Sequence, residues 1–189
     1  MKSVKIFLAV FSLPLSVFCQ DITGLWTGTI YNDSTRQVYQ YEIGISQEKG
    51  KYTGFSHTWF TIDNNKYFGV KKVSVKIAGN GKIIIVDGEL LSNNYPVQPN
   101  KDVRQLNILS LEKNDGQHLL SGPFVTNRTK EFSPLTGQVS LKRQNDFSQS
   151  DLVPHLQKIR NGQDISINHT TKEQFVKMKG NNIPHTGIK

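Results

Sequence analysis

Val38-Tyr39-Gln40-Tyr41-Glu42-Ile43-Gly44-Ile45-Ser46-Gln47 is the stretch on which the fold turns. In an extended chain Tyr39, Tyr41, Ile43 and Ile45 fall on one side and Gln40, Glu42, Gly44 and Ser46 on the other. This period of two marks a strand with one face in a core and one in water.

Runs of the same character lie on both sides of it. Short stretches rich in Val, Ile, Tyr, Phe and Thr, separated by Gly, Asn, Asp and Pro, extend from Ile22 to Arg143. That spacing is the signature of an all-β sandwich or barrel. The runs predict eight strands, at 22–31, 38–47, 51–60, 66–77, 82–91, 103–112, 117–125 and 137–143. Lys49-Gly50, Asn80-Gly81 and Asn114-Asp115-Gly116 stand between runs and supply the positive φ of tight hairpins, so consecutive strands are expected to pair antiparallel. The fifth run begins apolar on both faces: Ile84, Val86 and Leu90 on one, Ile83 and Ile85 followed by Asp87 and Glu89 on the other. A strand covered on both sides for part of its length is expected there, with the two carboxylates in water. Two connections are long, 92–102 and 126–136, and long loops on a rigid scaffold are where binding residues gather.

The first run opens Ile22-Thr23-Gly24-Leu25-Trp26-Thr27-Gly28. It resembles the G-x-W first strand of the calycins, the lipocalin and avidin group of eight-stranded up-and-down barrels. Ile22, Thr23, Gly24 and Trp26 look most like the avidins. The resemblance implies that Trp26 packs across a closed end and that a basic residue of the last strand, here Arg143, lies over it. It favours a lipocalin-like antiparallel eight-stranded barrel, with a β-sandwich as the rival. It does not carry biotin binding, because Gly28 stands where avidins place a polar side chain for the ureido oxygen. The disulfide and the acidic-aromatic motif of typical lipocalins are not recognisable either.

Both ends of the chain have a different texture. Met1 to Lys5 is basic and Ile6 to Phe18 is an almost unbroken apolar run, the layout of a cleavable secretory signal over residues 1–19. Polar Gln20-Asp21 stops that run short of the roughly 20 apolar residues of a membrane span, so no transmembrane span is expected. Cys19, the sole cysteine, admits a second reading as the lipidated residue of a bacterial lipoprotein. Phe18 stands against it, since such processing sites want a small residue before the cysteine. Cleavage would remove Lys2 and Lys5 from 23 basic side chains, leaving 21 against 15 acidic ones and a net charge of +6. The mature chain then has no disulfide and works in the periplasm, on the cell surface or outside the cell. Residues 20–143 read as one barrel domain and 144–189 as a helical extension. Asp151 is positioned to cap a helix striped by Leu152, Leu156 and Ile159 and ended by Asn161-Gly162. Thr170 and Glu173 form a capping box for a second helix with Phe175, Val176 and Met178, closed by Gly180, and the end beyond it is expected to fray.

Little here reads as catalytic machinery. There is no nucleophile elbow and no phosphate-cradling glycine loop, so no cofactor is expected. His57, His118, His155, His169 and His185 lack the spacing that puts two imidazoles on one metal. Lys71, Lys72, Lys76 and Lys82 near Tyr67 and Phe68 alternate with valines as a wet strand face does, so nucleic acid is not the expected partner. Asp87 and Glu89, two apart on one strand, are the candidate acid and base of an exported hydrolase, with His57 as a helper. Against them stands an aromatic inventory, Tyr39, Tyr41, Trp59, Phe60, Tyr67 and Phe68, with His57 between Phe55 and Trp59. Tyr39, Tyr41, His57, Trp59 and Tyr67 are therefore the candidate ligand-binding residues of a non-enzymatic exported binding protein. Its expected ligand is a small apolar molecule or an envelope glycan. The hydrolase and an interaction domain with a filled barrel remain the alternatives.

Overall fold

A computed structural model describes residues 21–62, 64–95, 103–130 and 132–161. The expected signal segment, the expected second helix around Phe175 and parts of both long loops lie outside the described residues. Within them are eight strands and one helix: β1 (Gly24–Asn32), β2 (Gln37–Glu48), β3 (Lys51–Ile62), β4 (Asn65–Ile77), β5 (Ile83–Asn93), β6 (Gln105–Asn114), β7 (Gln117–Thr126), β8 (Thr136–Gln144) and α1 (Leu152–Arg160). The strands pair antiparallel in chain order and β8 closes on β1, which makes a closed up-and-down barrel and excludes the sandwich. No helix among the described residues is long and apolar enough to cross a membrane.

The turns behave as their residues require. Lys49 and Gly50 both have positive φ, as do Asp115 and Gly116, and such pairs let a two-residue turn follow the twist of its strands. Gly28 serves a different need: a Cβ there would collide with the Ser140 carbonyl, so β1 and β8 close only because that side chain is missing.

Up-and-down order places alternate connections at opposite ends. The short turns at 49–50, 78–82 and 115–116 share one end with Trp26; both long loops share the other. At the first end Trp26 is fully buried and its indole N–H donates to the Ile22 carbonyl at 3.0 Å. The Arg143 guanidinium lies 5.8 Å from the centre of that ring. It also donates to the Thr23 carbonyl at 2.6 Å and to Asp21 at 2.8 Å, tying the segment before β1 to the end of β8. Above Trp26 the interior is filled by inward aliphatic side chains, among them Ile43, Ile45, Ile85, Leu109, Leu120 and Leu141.

A second apolar cluster lies outside the barrel. Leu152, Leu156 and Ile159 of α1 cover Leu25, Phe55 and Val70 on the outer wall, with Leu91 and Phe147 at the margin. The stripe at helical spacing thus docks along the wall rather than across an opening. The cap differs from the sequence expectation, because Asp151 makes no side-chain cap hydrogen bond. The acceptor comes from β2. The Glu42 carboxylate accepts from the Leu152 N–H at 2.7 Å, the Asp151 N–H at 3.3 Å and the Ser150 hydroxyl at 3.0 Å. A carboxylate there satisfies the orphan donors of the first turn and faces the positive end of the helix dipole.

A candidate site on the outer wall

The sequence-derived candidates divide between the two faces of the sheet. Tyr39, Tyr41 and Tyr67 point inward. Tyr41 is buried, and burial, with the nearby Asp87 charge, pushes its pKa up. Nearer the mouth, Phe60 is stacked on Tyr95 with ring centres 5.7 Å apart and meets Tyr39 and Tyr67 at 6.0 and 5.9 Å. Tyr95 is held there by Asn94, whose side chain accepts from the Phe68 N–H and donates to the Lys66 carbonyl as an extra rung on β4. The Tyr95 hydroxyl lies against Gly69, filling the space a side chain would occupy. These rings lie towards the mouth, beyond the aliphatic side chains of the interior.

Asp87 is also inside, which corrects the expectation that it stands in water. Ile83, Ile85 and Asp87 share the inner face, and the Asp87 carboxylate pairs with Lys71 at 2.5 Å and is 5 % exposed. The register between β4 and β5 shifts on either side of Lys71, and beyond that shift Glu89 is exposed. The bulge breaks the period of two, so the two carboxylates do not share a face and cannot flank one bond.

His57 and Trp59 point the other way, onto the outer wall beneath and beside α1. His57 is 1 % exposed and neither ring nitrogen has a hydrogen-bond partner. It packs against Trp59, His155 and Phe68 with ring centres 4.7, 5.0 and 5.9 Å apart. Burial lowers its pKa to about 4, with the His155 charge adding to the effect, so the ring is neutral near pH 7. Its Nδ1 lies 3.9 Å from Glu42, too far for a hydrogen bond. Burial raises the Glu42 pKa against the lowering effect of the donors from Leu152, Ser150 and Asp151. Among the described residues no group of three His, Cys, Asp or Glu side chains forms a metal cluster.

Beside this packed layer is an open cavity of about 260 Å³ between β1, β2, β3 and the segment leading into α1. Half-buried Trp59 and the side chains of Gln40, Thr27 and Gln144 supply the strand side; Asp146, Gln149 and Asp151 supply the other, with Glu42 at the base. Gln144 donates to the Thr27 hydroxyl at 2.7 Å, fixing one amide in place. Trp59 is the one candidate from the sequence that lines the cavity. The others carry no sign of a site in the sequence: Gln40 and Glu42 lie on what the alternation marks as a wet face, Gln144 to Ser150 follow the last strand run without a pattern of their own, and Asp151 reads as a helix cap. The one usable signal was the apolar stripe of α1, which required some stretch of outer wall to be covered.

Compared with known proteins, the chain matches no family model, no curated protein and no solved structure.

Proposed function

We propose that this chain is an exported, non-enzymatic binding protein with a calycin-like barrel, and that its outer-wall cavity takes one saccharide unit of an envelope glycan. The observation that carries the reading is an indole wall facing amides and carboxylates in a single open cavity. An aromatic face suits the C–H side of a sugar ring, while amides and carboxylates suit its hydroxyls, and pockets of this kind combine one apolar wall with a few placed polar groups. The choice between the two expected ligands follows from the interior. Side chains fill the barrel up to the Tyr95 and Phe60 rings, which favours the outer wall over a cup for an apolar molecule. The signal-like reading of residues 1–19 puts the protein where such glycans are. Binding of the protein and of Trp59→Ala to an array of envelope saccharides tests the proposal. Binding by the parent and its loss in the variant is the expected result. An array with no signal, together with small apolar molecules carried through native mass spectrometry, would replace this reading with a barrel-mouth ligand.

A further inference from the structure

We propose that the outer-wall cavity selects a saccharide that carries a protonated amine. The inference rests on reading the cavity as a saccharide site and adds the charge of its ligand. Glu42, Asp146 and Asp151 are among its lining residues and no lysine, arginine or histidine is, in a chain whose overall balance is basic. Glu42 is buried and its oxygens are engaged by the start of α1, so it contributes negative potential rather than contact. Asp146 and Asp151 are exposed at the rim; Asp146 supplies a contact, and at Asp151 a ligand amine takes the place of the Lys66 ammonium paired there. Asp146 accepts from the Ser148 N–H at 2.8 Å, which keeps it in its charged form.

The chain itself shows what Trp59 and Asp151 hold together. The Lys66 ammonium lies 5.0 Å from the centre of the Trp59 ring and 3.2 Å from the Asp151 carboxylate. An indole face and a carboxylate arranged around one cation attract it through the ring quadrupole and the ion pair. A neutral sugar would offer the carboxylates only hydroxyl donors, a weaker contact than that of an ammonium. A uronate would meet three negative groups at close range, which costs affinity.

The fluorescence of Trp59 provides the test, since Trp26 is fully buried in the barrel and Trp59→Phe supplies the silent control. Glucosamine, glucose, N-acetylglucosamine and glucuronate are titrated at a pH where the free amine is protonated. Glucosamine is expected to bind about tenfold more tightly than glucose, and glucuronate more weakly than either. In the double variant Asp146→Asn/Asp151→Asn the ratio of glucosamine to glucose affinity should fall to about one, a ratio that any general loss of sugar binding leaves unaffected. Equal affinities for glucosamine, glucose and N-acetylglucosamine would overturn charge selection and leave the saccharide reading intact. No response to any sugar would remove both.

Discussion

Replacing Glu42 with alanine takes away the β2 carboxylate that accepts from Ser150, Asp151 and Leu152 at the start of α1. Three donors lose their acceptor, and two belong to the buried residues Ser150 and Leu152. A lost helix cap costs about 1 kcal/mol, and a buried donor left unsatisfied about 1–3 kcal/mol. Against this, the variant no longer buries a carboxylate, a cost the raised pKa of Glu42 reveals. The balance is a loss of about 2–4 kcal/mol. In urea, with a slope of roughly 2 kcal/mol per molar, the midpoint should fall by about 1–2 M. Glu42→Gln keeps one acceptor oxygen and should lose about half as much. Asp151→Ala is the control: it sits at the nominal cap, makes no cap bond and pairs only with exposed Lys66, so its effect should stay within about 0.5 kcal/mol. Urea unfolding followed by circular dichroism measures all three. If Asp151→Ala costs as much as Glu42→Ala, or Glu42→Ala costs less than about 0.5 kcal/mol, the assignment of the cap to β2 is wrong.

Three further outcomes are expected. Trp26→Ala should cost about 3–5 kcal/mol by the same urea assay, since it empties the closed end beneath Arg143. Lys71→Ala should cost about 3–5 kcal/mol because it strands the Asp87 charge in the interior, and Lys71→Met with Asp87→Leu should recover most of that loss. His57 titrates near 6.5 when unfolded and about 4 when folded, so the unfolded state takes up the proton first and stability falls as pH drops from 6.5 towards 4. Glu42, with its raised pKa, works in the opposite direction at the acid end. Thermal melts should therefore show a loss of about 1–2 kcal/mol between pH 6.5 and about pH 5, and His57→Phe should flatten that slope.

The barrel was legible because its signals are local. The alternation at Tyr39–Ile45, the Lys49-Gly50 and Asp115-Gly116 turns and the eight short runs each specify an element without reference to the rest of the chain. All eight strands fall within two residues of their expected bounds. The faces of β5 were not legible, because a bulge past Asp87 changes which residues face inward and leaves no mark on the hydrophobic pattern. Nor was the candidate site. Gln40 and Glu42 read as solvated until it is known that α1 folds back over β2. That docking depends on contacts over 100 residues apart in the chain, Ser150 with Glu42 and Leu152 with Glu42. His57 was singled out among aromatics, as it proves to be, but a period of two cannot say which face of a closed sheet a second layer covers.

Binding on the outer wall is separated from binding at the barrel mouth by mapping amide and indole chemical shifts during titration with the best saccharide from the array. An outer-wall ligand should concentrate the shifts at Gln40, Trp59, Gln144 and Ser150, with Tyr39, Tyr67 and Tyr95 unmoved. Shifts centred on those three tyrosines at the barrel mouth, with Trp59 still, would contradict it.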